Sequence, residues 1–302
     1  MCRRLICLAL LAFGFSAIAA DPPEIVFCSY NLENYAAGKP PVGNARFGTK
    51  PKSEAAVAAL VAIVKDIQPD LLGVCEMGSP EKLAEFQQRL KEAGVDLPEK
   101  EFVEAADEDR HLALLSRFPI VERHSQTDVR FTLNGQEERV RRGILDITVE
   151  VNPAYRLRCV GVHLKSKLPI PQGEAMVRRL EAQKLREYLD RIFTAAPDVN
   201  LICYGDFNDT KNEPMFQEVA GARGSRGFLA DLWCQDSLGD RWTHYWKTAD
   251  QYSRIDYLFV SPGLFPEIDR TRAAVYRSPR WSEASDHRPI YTAIRPVNVA
   301  HR

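Results

Sequence analysis

The stretch Asn200-Leu201-Ile202-Cys203-Tyr204-Gly205-Asp206-Phe207-Asn208-Asp209 joins a short apolar run to a carboxylate and an amide two residues apart. Asn200 to Cys203 has the composition of a buried strand, and Gly205 lets the backbone turn tightly behind it. Asp206 and Asn208 are thereby delivered together at a strand end, placed to converge on a metal-bound water and a phosphate oxygen. Taken alone, the stretch reads equally as an Asx-rich turn. Two further segments change that weighting: Arg254-Ile255-Asp256-Tyr257-Leu258 opens a second apolar strand, and Ser285-Asp286-His287-Arg288-Pro289 stands before a third. A histidine moves protons near neutral pH, and a carboxylate such as Asp256 fixes its tautomer and orientation.

Outward from this point, short strand-type runs alternate with segments of helical period, punctuated by Gly, Pro and Asp. Ser53 to Ile67 opens on an N-cap residue and repeats Ala56, Leu60, Val64 and Ile67 on one face, which predicts an amphipathic helix. Pro80 to Lys91 predicts a second helix with Leu83, Phe86 and Leu90 inward, and Glu174 to Phe193 the longest. Ile25 to Tyr30, Leu71 to Cys75, Leu112 to Leu115, Gly143 to Val149, Leu157 to Val162, Ile255 to Val260, Arg272 to Tyr276 and Ile290 to Ile294 predict strands. Polar residues fall at strand ends at Asn31, Glu76, His163, Asp206, Asp256 and Asp286, across nearly the whole chain. If they form one site, residues 21–302 are one α/β domain, although length alone allows two.

The N-terminus sets an expectation of compartment. Arg3 and Arg4 precede the uncharged run Leu5 to Phe15, and Ala17, Ala19 and Ala20 follow, the layout of a signal peptide over residues 1–20. The run is short for a membrane span, so the expected mature chain is secreted or periplasmic and carries no transmembrane segment. Loss of Arg3 and Arg4 takes the basic count from 40 to 38 against 41 acidic residues, about −3, which does not advertise a polyanion partner. The cysteines Cys28, Cys75, Cys159, Cys203 and Cys234 are odd in number, and none is paired at metal-ligand spacing. That spacing argues against zinc–thiolate chemistry, and a disulfide stays unassigned.

In order along the chain, Ser29-Tyr30-Asn31-Leu32-Glu33-Asn34, Val74-Cys75-Glu76, Val162-His163-Leu164-Lys165-Ser166-Lys167, Gly205-Asp206-Phe207-Asn208, Arg254-Ile255-Asp256-Tyr257 and Ser285-Asp286-His287 resemble the motifs of the endonuclease/exonuclease/phosphatase superfamily. That superfamily takes in pancreatic-type deoxyribonucleases, abasic-site endonucleases, neutral sphingomyelinases and inositol polyphosphate phosphatases. Each motif is weakly specific; six in order are not. The resemblance implies a four-layered αββα sandwich of two packed mixed β-sheets. It implies Asn31, Glu76 and Asp286 as ligands of Mg²⁺ or Mn²⁺, with Ca²⁺ also acceptable to hard oxygen donors. It implies His287, oriented by Asp256, as general base, a role argued for the Asp206 position in some members. It further implies His163 as a donor to a phosphate or leaving oxygen and Asn208 as a holder of the scissile phosphate.

Around this set stand weaker candidates. Asp109 matches a carboxylate that orients the central histidine in the deoxyribonucleases, against a solvated acidic loop shared with Asp107 and Glu108. Arg117, Arg142 and Arg178 carry forked donors suited to phosphate, Arg142 being equally readable as a solvated basic edge. Lys165 and Lys167 place positive charge beside His163. His111, His124, His244 and His301 have no nameable partner and default to packing or surface. Trp233, Trp242, Trp246 and Trp281 crowd the last third as base or membrane contacts, or as core. The expectation is a monomeric metal-dependent nuclease; the alternatives are a phosphatase or sphingomyelinase-type lipid phosphodiesterase, and a binding protein of the same fold without catalysis.

Overall fold

A computed structural model describes residues 23–35 and 51–298; the expected leader, residues 1–20, and His301 lie outside the described residues. The first half forms β1 (Ile25–Tyr35), α1 (Glu54–Ile67), β2 (Leu71–Met77), α2 (Pro80–Glu92), β3 (Glu99–Val103), β4 (His111–Ser116), β5 (Ile120–Arg123), a hairpin of β6 (Arg130–Leu133) and β7 (Gln136–Arg139), β8 (Leu145–Asn152) and β9 (Tyr155–His163). The second half adds α3 (Glu174–Ala195), β10 (Leu201–Asp206), α4 (Pro214–Ala220), β11 (Ala230–Asp231), a hairpin of β12 (His244–Trp246) and β13 (Gln251–Ser253), β14 (Asp256–Val260), β15 (Ile268–Val275), α5 (Trp281–Ala284) and β16 (Ile290–Ile294).

The helices begin where the chain offers caps. Ser53 accepts the N–H of Ala56, and Ser79 that of Lys82, each worth about 1 kcal/mol against alanine. Both helices bury the faces expected of them, including Leu60 and Val64 on α1 and Leu83, Phe86 and Leu90 on α2. Every predicted strand is present, several extended by a turn of chain. The small elements β3, β5, β6, β7, β11, β12, β13, α4 and α5 are not among the predicted ones, since runs such as Gln136–Arg139 carry no apolar period.

Two six-stranded sheets result, in the orders β15-β16-β1-β2-β4-β3 and β11-β14-β10-β9-β8-β5. Each has one parallel pair, β1 with β2 and β9 with β10, and antiparallel neighbours on both sides. Side-chain alternation sorts each strand between two cores. Ile25 and Phe27 of β1, Leu71 and Cys75 of β2, Cys159 of β9, Ile202 and Tyr204 of β10, and Leu258 and Val260 of β14 fill the space between the sheets. Val26, Cys28 and Tyr30 pack under α1 and α2, while Val160, Val162, Leu201, Cys203, Tyr257 and Phe259 pack with residues of α3 and α4. The layers are helix, sheet, sheet, helix, the αββα sandwich of an α+β fold.

Tyr204 joins the sheets at close range. A Cβ on Gly73 would meet its ring at 2.0 Å, and one on Gly161 its hydroxyl at 2.6 Å, so both sheets reserve glycine for it. Gly205 follows with φ at +132°, where a Cβ would strike the Val162 carbonyl oxygen at 1.9 Å. All five cysteines among the described residues are buried as free thiols, so the unassigned disulfide is not formed there.

Candidate active site

Parity carries the polar residues to one place. Counting on from the inter-sheet residues by twos, β1 ends its inward series at Asn31, β9 at His163 and β10 at Asp206, while β14 begins its own at Asp256. The parallel pairs place the carboxyl ends of four strands at one end of the sandwich, the usual address for a ligand site on such strands. Glu76 alone breaks the count: Leu72 and Val74 face the helices, so strict alternation would send it there. Its φ of +64°, within a register irregularity between Val74 and Met77, turns it toward the site instead. His111 braces that bend, its Nδ1 lying 3.2 Å from the Met77 carbonyl and 3.1 Å from that of Gly78.

Asp206 is the centre. Its Oδ2 accepts from Asn31 Nδ2 at 3.0 Å and lies 3.6 Å from both His163 Nε2 and His287 Nε2, while Oδ1 accepts the Asn208 N–H at 2.8 Å. His287 Nδ1 is bound to Asp256 Oδ2 at 2.9 Å, and the Ser285 hydroxyl, donating to the Asn31 carbonyl, takes the His287 N–H at 3.0 Å. Asp256 is itself held where its N–H meets Thr243 Oγ1. Asn31 Nδ2 also reaches Glu76 Oε1 at 3.4 Å, and Glu76 Oε2 accepts the Asn34 N–H. Asn208 takes φ +53°, a conformation asparagine tolerates, and gives one amide N–H to the Leu164 carbonyl.

Burial makes these contacts electrostatically strong. Asp206 is pushed up to about 7 by burial and by the Asp256 carboxylate, against His287, the Asn208 N–H and Asn31. Burial works to lower His287, but Asp256, Asp206 and Asp286 together hold it well above the ordinary imidazole value. His163 is driven the other way, by burial and then by Arg142, His287, Arg110 and Lys165, and stays neutral. Two histidines thus flank one carboxylate, one held charged and the other uncharged, a pattern typical of a proton-handling site.

Several expected positions act differently. Arg117 pairs with Asp70 at 2.7 Å, at the end of β2 opposite Glu76, and cannot reach the site. Arg178 is buried against Asp209 at 2.9 Å and the Lys165 carbonyl, so it props the loop rather than facing phosphate. Lys165 folds its amino group onto Ser166 and the Leu168 carbonyl, and acts on His163 through charge alone. The Asp109–His163 contact is not formed: His163 Nδ1 is buried without a hydrogen-bond partner, and the Asp109 N–H donates to Asp107. Arg142 keeps its candidacy. Its Nε lies 2.9 Å from Asp107 Oδ2, but Nη1 is buried with no partner.

Two neighbours escaped the sequence reading. His244 packs against His287, the rings tilted by 44° with centroids 4.6 Å apart, and sets Nε2 3.7 Å from Asp286 Oδ2. A residue in an aromatic hairpin, bridged through its backbone to His287, has no local signature. Lys52 is buried beside Glu33 at 3.5 Å; burial lowers it, while Glu33, Asp286 and Glu76 raise it. Among the described residues, His244, Asp286 and His287 offer ligand atoms within 4.8 Å of one another, as do Asp206, Asp256 and His287. The first set has two imidazoles and one carboxylate, the second two carboxylates and one imidazole, and Glu76 belongs to neither; the carboxylates of the site are the hard oxygen donors that suit a divalent cation.

The family model described as endonuclease/exonuclease/phosphatase matches residues 28–287. The chain belongs to this family. Endonuclease/exonuclease/phosphatase proteins are in general phosphoester hydrolases that depend on a divalent metal. The human nocturnin catalytic domain with a bound sulfate anion shares the fold at TM-score 0.62 and 19% identity, over 91% of this chain and 95% of that one. A truncated TDP2 of Caenorhabditis elegans matches at 0.58 and 16%, over 90% and 97%, and sphingomyelinase C of Streptomyces griseocarneus at 0.58 and 14%, over 90% and 100%. No curated protein matches the sequence. No helix among the described residues is long and apolar enough to cross a membrane.

Proposed function

We propose that this chain is a secreted or periplasmic, divalent-metal-dependent phosphodiesterase that cleaves nucleic acid, one catalytic domain over residues 21–302 behind a leader at 1–20. The observation that carries it is Asp206 Oδ2, set 3.6 Å from an imidazole on either side, with the outer one locked to Asp256. Such a carboxylate is built to handle the proton of an attacking water. Asp206 and His287 titrate as a unit, and the unit accepts that proton as the water oxygen bonds to phosphorus. The P–O bond to the leaving oxygen breaks with its electron pair on that oxygen. His163, held neutral, would carry its proton on Nε2, which faces Asp206 and Glu76, and donate it in a hydrogen bond to a phosphate or leaving oxygen.

Asn31, Glu76 and Asp286 would hold Mg²⁺ or Mn²⁺, which supplies charge neutralisation of the phosphate oxygens. The unpartnered Arg142 Nη1, with Arg110 close enough to act on His163, presents further positive charge to an anion. Nucleic acid is favoured over lipid by the aromatic groups beside the site. None of the four tryptophans is core: Trp233 and Trp246 are exposed, and Trp242 and Trp281 are half-buried. Stacking on such surfaces suits bases.

A substrate panel tests the proposal: single- and double-stranded DNA, RNA, sphingomyelin vesicles and nucleotide monoesters, each with Mg²⁺ or Mn²⁺ and with chelator. Metal-dependent cleavage of a nucleic acid, abolished in His287→Ala, is expected. Turnover of sphingomyelin alone would move the chain to the lipid phosphodiesterases, and no turnover of any substrate would make it a binding protein.

A further inference from the structure

Beside the catalytic loop lies a pocket of about 360 Å³ lined by Trp242, Arg277, Ser278, Pro279, Trp281 and Arg288. Its walls are tied to the site at two points. Trp242 stands two residues before His244, a span of at most about 7 Å. Trp281 opens the short helix that runs directly into Ser285, Asp286 and His287. The Thr243 carbonyl between them accepts the Arg288 N–H, fastening both walls together.

The pocket is rigid and aromatic. The Arg288 guanidinium lies 3.4 Å from the centroid of the Trp242 ring, bonds the Trp242 carbonyl, and pairs with Asp236 at 2.8 Å. It therefore fixes the indole rather than offering itself to a ligand. Trp281 meets Trp242 edge to face at 5.0 Å and Tyr245 at 5.9 Å, and Tyr245 stacks on the exposed Tyr252 at 4.5 Å. Arg277, half-exposed, is the cation on the outer wall, shared with Asp236 and Asp240. Indole walls with a cation at the rim complement a flat aromatic ring attached to an anion, which is the chemistry of a nucleotide.

We propose that this pocket takes one unpaired base of the substrate next to the scissile phosphate, so that single strands and frayed ends are cleaved in preference to intact duplex. A base in a duplex is stacked and paired, and cannot enter this pocket to lie against Trp281 without leaving its helix. The proposal rests on the nucleic-acid reading of the active site.

The test compares a short thymidine oligonucleotide with the same strand made abasic. Binding is measured by fluorescence anisotropy in Mg²⁺ on a His287→Ala background, and cleavage on the native background. The thymidine strand is expected to bind and react better than the abasic one by about tenfold or more. Trp281→Ala should bring both ratios toward one, and Trp281→Phe should restore them. Native ratios already near one, or ratios untouched by Trp281→Ala in a variant whose melting is unchanged, overturn the pocket. So does a Trp281→Ala variant that loses phospholipid vesicles but keeps the oligonucleotide, since the pocket would then be a lipid contact. Base-dependent binding without cleavage of either strand leaves the pocket standing and removes the nuclease reading; cleavage of both at equal rates does the reverse.

Discussion

His287 uses its two ring nitrogens for different tasks: Nδ1 is bound to Asp256, and Nε2 is left facing Asp206. Asp256→Asn removes the charge that holds the imidazole up and leaves an amide that cannot fix the same tautomer. We expect kcat to fall about a hundred- to ten-thousand-fold with KM nearly unchanged, because the loss lies in proton transfer rather than binding. His287, followed by NMR, should then titrate lower than in the native chain. A variant within tenfold of native kcat would remove Asp256 from the mechanism. Asn31, His163, Asp206 and Asp256 could be placed from sequence because each ends or opens an apolar run and alternation turns it inward, whereas Glu76 comes round only through its bend. His244 and Lys52 carry no such signal. Their places come from contacts between distant segments, such as the packing of His244 against His287, which no local pattern records. Arg117 and Arg178 misled for the same reason: an arginine near a motif in sequence can face a carboxylate at the wrong end, as Arg117 faces Asp70.

Helices with caps and strands with apolar period were readable from sequence to within a few residues, whereas the hairpin of β12 and β13 was not, since His244–Trp246 and Gln251–Ser253 are mixed and largely exposed. Just before that hairpin, Arg288 donates to the Trp242 carbonyl and pairs with Asp236 at 2.8 Å. Burial alone would raise the Asp236 carboxyl, but Arg288, the N–H groups of Leu238 and Asp240, and Arg277 draw it down to about 2. A depressed carboxylate contributes stability that is complete above its unfolded value near 4 and disappears as pH falls through its folded value. The window is therefore pH 4 down to 2, and the contribution is roughly 2 kcal/mol. Urea unfolding of the native chain and Asp236→Asn across that window should show the difference between them shrinking as the pH drops. A difference that stays constant from pH 5 to pH 2 would show that the carboxylate's charge does not contribute to stability.

At the scale of the molecule, the sandwich has a cost built into its function. Two sheets with the same pattern of one parallel pair between antiparallel neighbours bring four strand ends together, and those ends carry Asn31, Glu76, His163 and Asp206, with Asp256 and Asp286 close by. Strand order could not be read from sequence, because partners such as β1 and β16 lie more than 250 residues apart; only the convergence of motifs implied it. Burial first, and the Asp256 carboxylate after it, raise Asp206, and Lys52 offsets part of the negative charge on the Glu76 and Asp286 side. A divalent cation that binds the folded chain and not the unfolded one must then raise the melting temperature in step with its concentration. At ten times its dissociation constant the gain is about 1.4 kcal/mol, which for a chain of this size is roughly 2 °C. Glu76→Gln should melt at or slightly above the native metal-free temperature, since it removes one repelling charge, and should lose the rise with Mg²⁺ and Mn²⁺. Differential scanning calorimetry over a metal series separates the outcomes: an equal rise in native and Glu76→Gln places the cation elsewhere, and no rise in the native chain removes the metal from the site.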